Sequence, residues 1–337
     1  MTKRAFVTGA AGFIGSNLSH KLLDDGWLVY GLDNLNDYYR VDLKHDRLRT
    51  LTSREDFQFV KADLVDEQTV RSTIEAFDPH VIVHLAAQAG VRYSIDNPRA
   101  YVDSNLSGFL SILEAARSLR ATSTSFEHLV YASSSSVYGK GTQAPYVVSA
   151  RADTPVSLYA ATKRANELMA YTYAHLYGIP STGLRFFTVY GPAGRPDMAY
   201  YKFTDKAVRG EAIEVYNNGD LRRDFTYIDD IVDGVERVMA RAPQADENAP
   251  HKVYNIGNSS PETLLDFIDI LEKNLLRTGL ISEPLNRVLL PMQPGDVYET
   301  FADMSDMEVD FGFRPTTSLA DGLERFVRWY ADNEKVR

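Results

Sequence analysis

The chain has 337 residues, 44% of them hydrophobic, and its 46 acidic against 36 basic groups leave a formal charge of −10. Such a chain buries a large core, as one big α/β unit or two closely joined domains; it is no disordered tail, and with no dense basic run it is a poor partner for nucleic acid. It contains no cysteine, which excludes disulfides, thiolate metal sites and a cysteine nucleophile and suits a reducing cytoplasm; no stretch approaches the roughly 18 apolar residues of a membrane helix.

Lys3-Arg4 precede an apolar run that stops at Thr8-Gly9, too short for the hydrophobic part of a signal peptide, so residues 5–8 read as a buried first strand. Further apolar runs follow at 28–32, 57–60, 81–85, 128–132 and 182–187, alternating with segments of helical spacing at 14–24, 67–77, 100–118 and 159–177. Asp63-Leu64-Val65-Asp66 and Asn97-Pro98 supply helix starts, while 121–125 and 242–250 read as polar surface loops. This rhythm predicts an α/β fold with a doubly wound parallel Rossmann sheet. Beyond 187 the chain is turn-rich until a helix at 228–239 and a strand at 252–256 that can rejoin the sheet. The expected division is therefore a dinucleotide-binding domain over 1–187 and 227–257 and a smaller substrate-binding lobe over 188–226 and 258–337.

Gly9-Ala10-Ala11-Gly12-Phe13-Ile14-Gly15 joins the first strand to the first helix. Small residues there allow a tight turn and a close approach of backbone to a pyrophosphate at the helix N-terminus. The triplet by itself also fits an ordinary strand-to-helix turn. Asp33, 21 positions beyond Gly12 and followed by Asn34, ends the second strand. A carboxylate there accepts bonds from the adenosine ribose and repels a 2′-phosphate, favouring NAD over NADP. Asp63-Leu64 is placed to meet the adenine, although Asp63 equally fits a helix cap. Leu85-Ala86-Ala87 supplies small residues where the fourth strand passes a cofactor, and His84 reads as a structural hydrogen-bonder.

Tyr159 and Lys163 stand four apart at the start of a predicted helix and so share a face. A phenol with a pKa near 10 is a poor base until a neighbouring cation favours its phenolate; the alternative is a surface Tyr-Lys pair. Ser133-Ser134-Ser135-Ser136 follows the fifth strand, where a hydroxyl can touch a reacting oxygen and the tyrosine, or simply form a polar loop. The glycine triplet, the Ala86-Ala87 step and the Tyr-Lys dyad resemble the extended short-chain dehydrogenase/reductase superfamily over essentially the whole chain. The resemblance makes Ser134 the third catalytic residue beside Tyr159 and Lys163, and Tyr159 and Lys163 also cofactor contacts. It implies oxidation of a sugar C4 hydroxyl to a 4-keto intermediate and return of the hydride to the other face, with NAD retained.

Arg222 through Asp230 (RRDFTYIDD) resembles a nucleotide-sugar signature in which the arginine matching Arg223 binds the diphosphate, a suitable task for a guanidinium fork. A surface salt bridge is its alternative. Pro294-Gly295-Asp296 resembles a loop whose aspartate, here Asp296, contacts the uridine ribose, although Gln293 stands where several relatives have an arginine. Longer strings, 33–39 (DNLNDYY), 84–94 (HLAAQAGVRYS), 185–192 (RFFTVYGP) and 194–198 (GRPDM), resemble the UDP-glucuronate 4-epimerase family. That resemblance places Ser134, Ser135, Ser136 and Thr188 around the sugar and its carboxylate, with Arg195 nearby; Arg92 is a further candidate.

Once C4 is a ketone, the C6 carboxylate is β to it and can leave as carbon dioxide, so an epimerase must hold it out of alignment. Decarboxylating relatives place a glutamate in this serine loop and dehydratases an Asp-Glu pair, whereas here there are serines only. The competing enzyme readings are a UDP-glucose/UDP-galactose 4-epimerase and a UDP-glucuronate decarboxylase; a catalytically silent NAD sensor is the non-enzyme reading. The resemblance also implies a homodimer through the helices at 100–119 and 159–176 and a place in polysaccharide or glycoconjugate biosynthesis. No metal is expected, because the seven histidines show no ligand spacing with carboxylates, and no membrane or nucleic-acid partner is expected either.

Overall fold

The computed structural model describes residues 2–245, 248–292 and 298–334. The elements begin β1 (Arg4–Thr8), α1 (Phe13–Asp24), β2 (Leu28–Asp33), α2 (Val41–Thr52), β3 (Phe57–Lys61), α3 (Glu67–Phe77) and β4 (Val81–His84). The one-turn helices α4 (Tyr93–Asp96) and α5 (Pro98–Tyr101) and a π-helical stretch (Val102–Ser107) lead into α6 (Gly108–Thr122). There follow β5 (His128–Ser134), a 3-10 turn (Ser135–Tyr138), α7 (Leu158–Tyr177), β6 (Ser181–Phe186), β7 (Thr188–Tyr190), α8 (Ala199–Val208), β8 (Ile213–Tyr216) and β9 (Arg222–Tyr227). The remaining elements are α9 (Ile228–Met239), β10 (His251–Ile256), β11 (Pro261–Thr263), α10 (Leu264–Thr278), β12 (Arg287–Leu290), β13 (Glu299–Thr300), α11 (Ser305–Phe311) and α12 (Leu319–Asn333).

Seven strands form a parallel sheet in the order β10-β6-β5-β4-β1-β2-β3. Its central strands are apolar without alternation, and Phe6, Val7, Ile82, Val83, Leu129 and Val130 are all fully buried. Both faces must therefore be covered. Val7, Val83 and Val130 join the core cluster that contains α1, α2 and α9, while Phe6, Ile82 and Leu129 join the one that contains α3 and α6. Strand order reverses at β1, whose neighbours are β2 and β4, and such a reversal opens a crevice at the C-terminal ends of the strands.

The expected strands and the helices α1, α3, α7 and α9 occur within a residue or two of where the apolar pattern puts them, and the late run near 252–256 does lie beside β6. Three features differ. Helix α2 went unread because its buried positions include Lys44 and Arg47, which break the apolar stripe. The expected helix at 100–118 is interrupted by the π-helical stretch, where Asn105 turns inward to exchange bonds with the Gln88 backbone (2.8 and 3.0 Å). Between 188 and 226 there is regular structure after all, α8 and three short strands.

Strand β9 organises the smaller sheet, pairing parallel to β7 and β13 and antiparallel to β11. Two acids of the RRDFTYIDD string hold this part together. The Asp224 carboxylate accepts backbone N–H bonds from Asn258 (2.8 Å), Ser259 (3.1 Å) and Ala302 (2.9 Å), and Asp230 accepts from Thr316 and Thr317, both 3.1 Å. Among the described residues no helix is long and apolar enough to cross a membrane.

Candidate functional site

The turn after β1 is set by glycine geometry. Gly9 has φ +71°, and a Cβ there would stand 2.8 Å from the Ala86 nitrogen, so β1 and the tail of β4 touch through backbone at the crevice. At Gly12 a Cβ would lie 2.9 Å from the Gly9 carbonyl oxygen, and at Gly15 it would collide with that same oxygen. Helix α1 begins with neither a capping side chain nor an acid in its first turn. Its N-terminal N–H groups and dipole therefore suit an anion such as a pyrophosphate, and Phe13 and Ile14 sit at that end.

Asp33 ends β2, buried, accepting the Ala11 N–H (3.1 Å) and the Leu35 N–H (2.8 Å). Burial pushes its carboxyl up, while those two bonds and the Lys44 and Arg47 charges draw it down. Asp63 accepts from the Asn34 amide (2.8 Å) and the Val65 N–H (3.1 Å), so Asn34 and Asp63 join side by side at the ends of β2 and β3. The helix cap is Asp66, which accepts from Thr69. Leu64 is buried under Gly108. His84 lies 2.9 Å from the Thr8 hydroxyl, stacks on Phe109, and is driven down to about 3 by burial, so its ring stays neutral. Leu85, Ala86 and Ala87 continue from it along the crevice, half-buried.

Helix α7 starts at a Ser157 cap, whose hydroxyl accepts the Ala160 N–H (3.1 Å), and carries Tyr159, Lys163 and Glu167 along one face. Lys163 donates to the Ala132 carbonyl (2.9 Å), and burial lowers its ammonium to about 8. Burial raises the Tyr159 phenol, against which the Ser134 hydroxyl acts first and the Arg195 guanidinium second. Lys163, the cation expected to favour the phenolate, donates to backbone here, and the Arg195 charge also favours it. Ser134 accepts the Ser136 N–H (3.2 Å) and donates to the Ser136 hydroxyl (3.1 Å), and Ser135 and Ser136 stand half-buried in the 3-10 turn.

Ser133 faces the other way. It donates to Glu167 (2.6 Å), which also holds Arg185 by two 2.8 Å bonds. Thr188 opens β7, half-buried, in register with Phe225. Arg195 clasps Asp197 through Nε (3.0 Å) and Nη2 (2.5 Å), and the Tyr38 hydroxyl donates to the same carboxylate (3.2 Å). Arg223 lies half-buried on β9, with Nη1 donating to the Arg222 and Tyr298 carbonyls (2.8 and 3.1 Å). Arg92 caps α4, exposed, with its guanidinium 5.5 Å from the Tyr216 ring on β8. Asp296, with its Pro294-Gly295 neighbours, lies outside the described residues.

The Tyr159 phenol thus feels both Ser134, the last residue of β5, and the Arg195 charge, with Lys163 one turn along α7. The arrangement suits proton transfer at a hydroxyl next to a bound dinucleotide, with an arginine in reach of an acidic group. Sequence reading missed Asn105, Tyr38, Asp197, Lys44 and Arg47. Asn105 ties the β4 tail to α7, donating to Thr162 (3.0 Å) and accepting from Asn166 at its carbonyl (2.7 Å); a polar Asp-Ser-Asn run inside a helical stretch was its only trace.

The model of the NAD dependent epimerase/dehydratase family matches residues 5–257. The chain is 44% identical to a probable UDP-glucuronate 4-epimerase of Rhizobium meliloti, over 98% of this chain and 97% of that one. It is 45% identical to UDP-glucuronate 4-epimerase 2 of Arabidopsis thaliana, over 96% of this chain and 75% of that one. It also superposes with a TM-score of 0.86 and 32% identity on the Bacillus cereus UDP-glucuronic acid 4-epimerase solved with UDP-glucuronic acid and NAD, covering 98% and 99% of the two chains.

Proposed function

The chain belongs to the NAD-dependent epimerase/dehydratase family, and from that membership we propose that it inverts C4 of UDP-glucuronate to give UDP-galacturonate, without decarboxylation. The glycine cradle, the unblocked α1 N-terminus and Asp33 fit NAD, held by Gly9, Gly12, Phe13, Ile14, Gly15, Asp33, Asn34, Asp63, Leu64, Leu85, Ala86, Ala87, Tyr159 and Lys163. Bound there, NAD supplies a hydride acceptor and donor for C4, so the reaction has no net redox change.

Tyr159 takes the proton of the C4 hydroxyl and later returns it, and Ser134 holds the sugar oxygen and the phenol together. Burial opposes ionisation of Tyr159; Ser134 and Arg195 counter it. Lys163 supplies a buried positive charge one turn along α7 from the tyrosine, held on the Ala132 carbonyl. Arg223 and Asp296 hold the diphosphate and uridine, and Arg92 stands at the mouth against Tyr216. Ser135, Ser136, Thr188 and Arg195 hold the C6 carboxylate so that its bond to C5 is poorly aligned with the C4 carbonyl.

The feature that supports the substrate choice is the Arg195 guanidinium, held by Asp197, whose charge acts on the Tyr159 phenol. A guanidinium has five N–H donors, and the two bonds to Asp197 leave it able to meet a sugar carboxylate as well. A neutral sugar gives such a cation nothing to pair with. Residues 1–187 with 227–257 act as the dinucleotide unit and 188–226 with 258–337 as the nucleotide-sugar lobe.

A homodimer through α6 and α7 is part of this reading. It is supported by exposed Leu110, Leu168, Tyr171, Leu176 and Tyr177 on those helices, and sedimentation of the purified protein tests it. A cysteine-free chain and a UDP-sugar substrate fit a cytoplasmic supplier of polysaccharide or glycoconjugate biosynthesis.

The deciding experiment incubates the purified protein with UDP-glucuronate and no added NAD, and follows products by NMR and mass spectrometry. UDP-galacturonate at unchanged mass is expected. A UDP-pentose with carbon dioxide, or turnover of UDP-glucose alone, overturns the reading.

A further inference from the structure

Arg47, on α2, belongs to none of the motifs discussed above, yet it is 6% exposed and bonded throughout. Nη1 donates to the Ala11 carbonyl (3.0 Å) and the Tyr39 hydroxyl (2.8 Å); Nη2 donates to the carbonyls of Ala193 (2.7 Å) and Gly194 (3.0 Å), and Nε to Ala193 again (3.1 Å). Charge-assisted bonds to carbonyl oxygens in a buried place are the strong kind, and a planar fork fixes their directions. Ala11 sits between Gly9 and Gly12, its own N–H held by Asp33. Ala193 and Gly194 immediately precede Arg195, so a single side chain spans from the dinucleotide loop to the turn that presents the sugar-side arginine.

That turn needs holding. Ala193 has φ +52° and Gly191 +147°, a left-handed geometry costly for alanine. A Cβ on Gly194 would collide with the Tyr200 hydroxyl, so the turn is also wedged from below. The segment before α2 reaches the same place twice, through Tyr39 on Arg47 and Tyr38 on Asp197.

We propose that Arg47 is a positioning residue that locks the 191–197 turn to the dinucleotide loop, so that retention of NAD and control of the substrate carboxylate by Arg195 are coupled. The carboxylate half rests on the function proposed above; the retention half rests only on the fit of the loop to a dinucleotide. If Arg195 drifts, the 4-keto uronate can align its C5–C6 bond with the carbonyl. That bond then breaks with its electron pair passing to the C4 enolate, carbon dioxide leaves, C5 takes a proton, and a UDP-4-keto-pentose results with the hydride still on the dinucleotide.

The test compares wild type with Arg47→Met and Arg47→Lys, and with Ile268→Val, a fully buried α10 position, as a control for general destabilisation. NAD affinity is measured by calorimetry without substrate, titrating NAD back into protein dialysed free of it, and the partition between UDP-galacturonate and carbon dioxide is measured with UDP-glucuronate on protein as purified. Both Arg47 variants are expected to lose NAD affinity about tenfold, a typical coupling size, and to raise the carbon dioxide fraction several-fold, with Lys the milder because it keeps charge without the fork. Ile268→Val leaves both readouts unchanged. Weaker NAD with an unchanged product partition, or neither change in a folded variant, overturns the coupling. A wild type that turns over no UDP-glucuronate sinks the proposed function, while the calorimetry still reports on Arg47.

Discussion

At the scale of single residues, the site depends on how burial treats two ionisable groups. The Tyr159 phenol is raised by burial, so it is a base only through its partners. Tyr159→Phe is expected to cut kcat by about 10²–10⁴, the usual contribution of a positioned acid–base group, with KM and bound NAD little changed in steady-state and cofactor-content assays. Lys163 moves in the direction expected of a buried amine, down to about 8, so its positive charge is present below that pH and lost above it. The kcat–pH profile should therefore fall on the alkaline side near 8. Lys163→Met should remove that limb as well as lowering kcat, and a wild-type profile flat to pH 9.5 would refute the assignment.

Among elements, α7 carries the most consequence because its i, i+4, i+8 face continues past the dyad to Glu167. There the carboxylate binds Ser133 of β5 and Arg185 of β6, both partners buried, and Arg185 lies 4.7 Å from the Tyr138 ring. The helix bearing Tyr159 is thereby pinned to the strand bearing Ser134. Buried pairs are expensive to break from one side, because the remaining charge is stranded. Glu167 keeps its bonds to Arg164 (2.7 Å) and Ser133 when Arg185 is lost, so Arg185→Met is expected to cost about 3 kcal/mol in urea unfolding, the low end for a buried pair. Arg185→Met combined with Glu167→Leu should cost less than the sum of the two single changes, and strictly additive losses would show that the pair is not coupled. At the other end of the crevice, Gly15→Ala drives a Cβ into the Gly9 carbonyl oxygen. Purified protein carrying it should contain much less NAD than wild type, while a full complement would mean that the turn can yield.

For the whole molecule, buried histidines set the acid limit. Burial depresses His84 from 6.5 to about 3, and His128 and His251 to about 4. Because these folded values lie below the unfolded one, the neutral rings stabilise the fold fully above pH 6.5, and that stability is lost as pH falls toward 4. Each group contributes up to about 1.4 kcal/mol per pH unit in that window. Asp224 works the other way: raised by burial to about 6, it gives stability present below 3.8 and lost as pH rises through 6. Asp33, Asp229 and Glu236 are raised like Asp224, but His20 and His80 are lowered like the other three histidines, and Glu167 and Asp197 are held down by their arginines, so the loss on acidification prevails and Tm by calorimetry should fall between pH 6.5 and 4.5. His128→Asn should flatten the slope, and a level Tm across that range would contradict the burial argument.

The sequence by itself determined what depends on neighbours along the chain. The alternation of apolar runs with helical spacing, the turn at Gly9 to Gly15 and the Tyr159-Lys163 face are local, so periodicity and steric rules reach them. What only the tertiary structure decided are contacts across tens or hundreds of positions. Asp197 meets Tyr38 and Arg47 meets Ala193 and Gly194, and neither pairing leaves a trace in local spacing. Lys44 and Arg47 even obscured their own helix, since a buried cation looks, in one dimension, like a surface residue, whether its acceptors lie nearby as for Lys44 on Asn36 or far off as for Arg47. The RRDFTYIDD string shows the same limit in reverse. It was legible as a motif, but only folding showed that Asp224 and Asp230 hold backbone N–H groups together while Arg223 stands half-buried on β9, because a carboxylate's task is set by the donors that the fold brings to it.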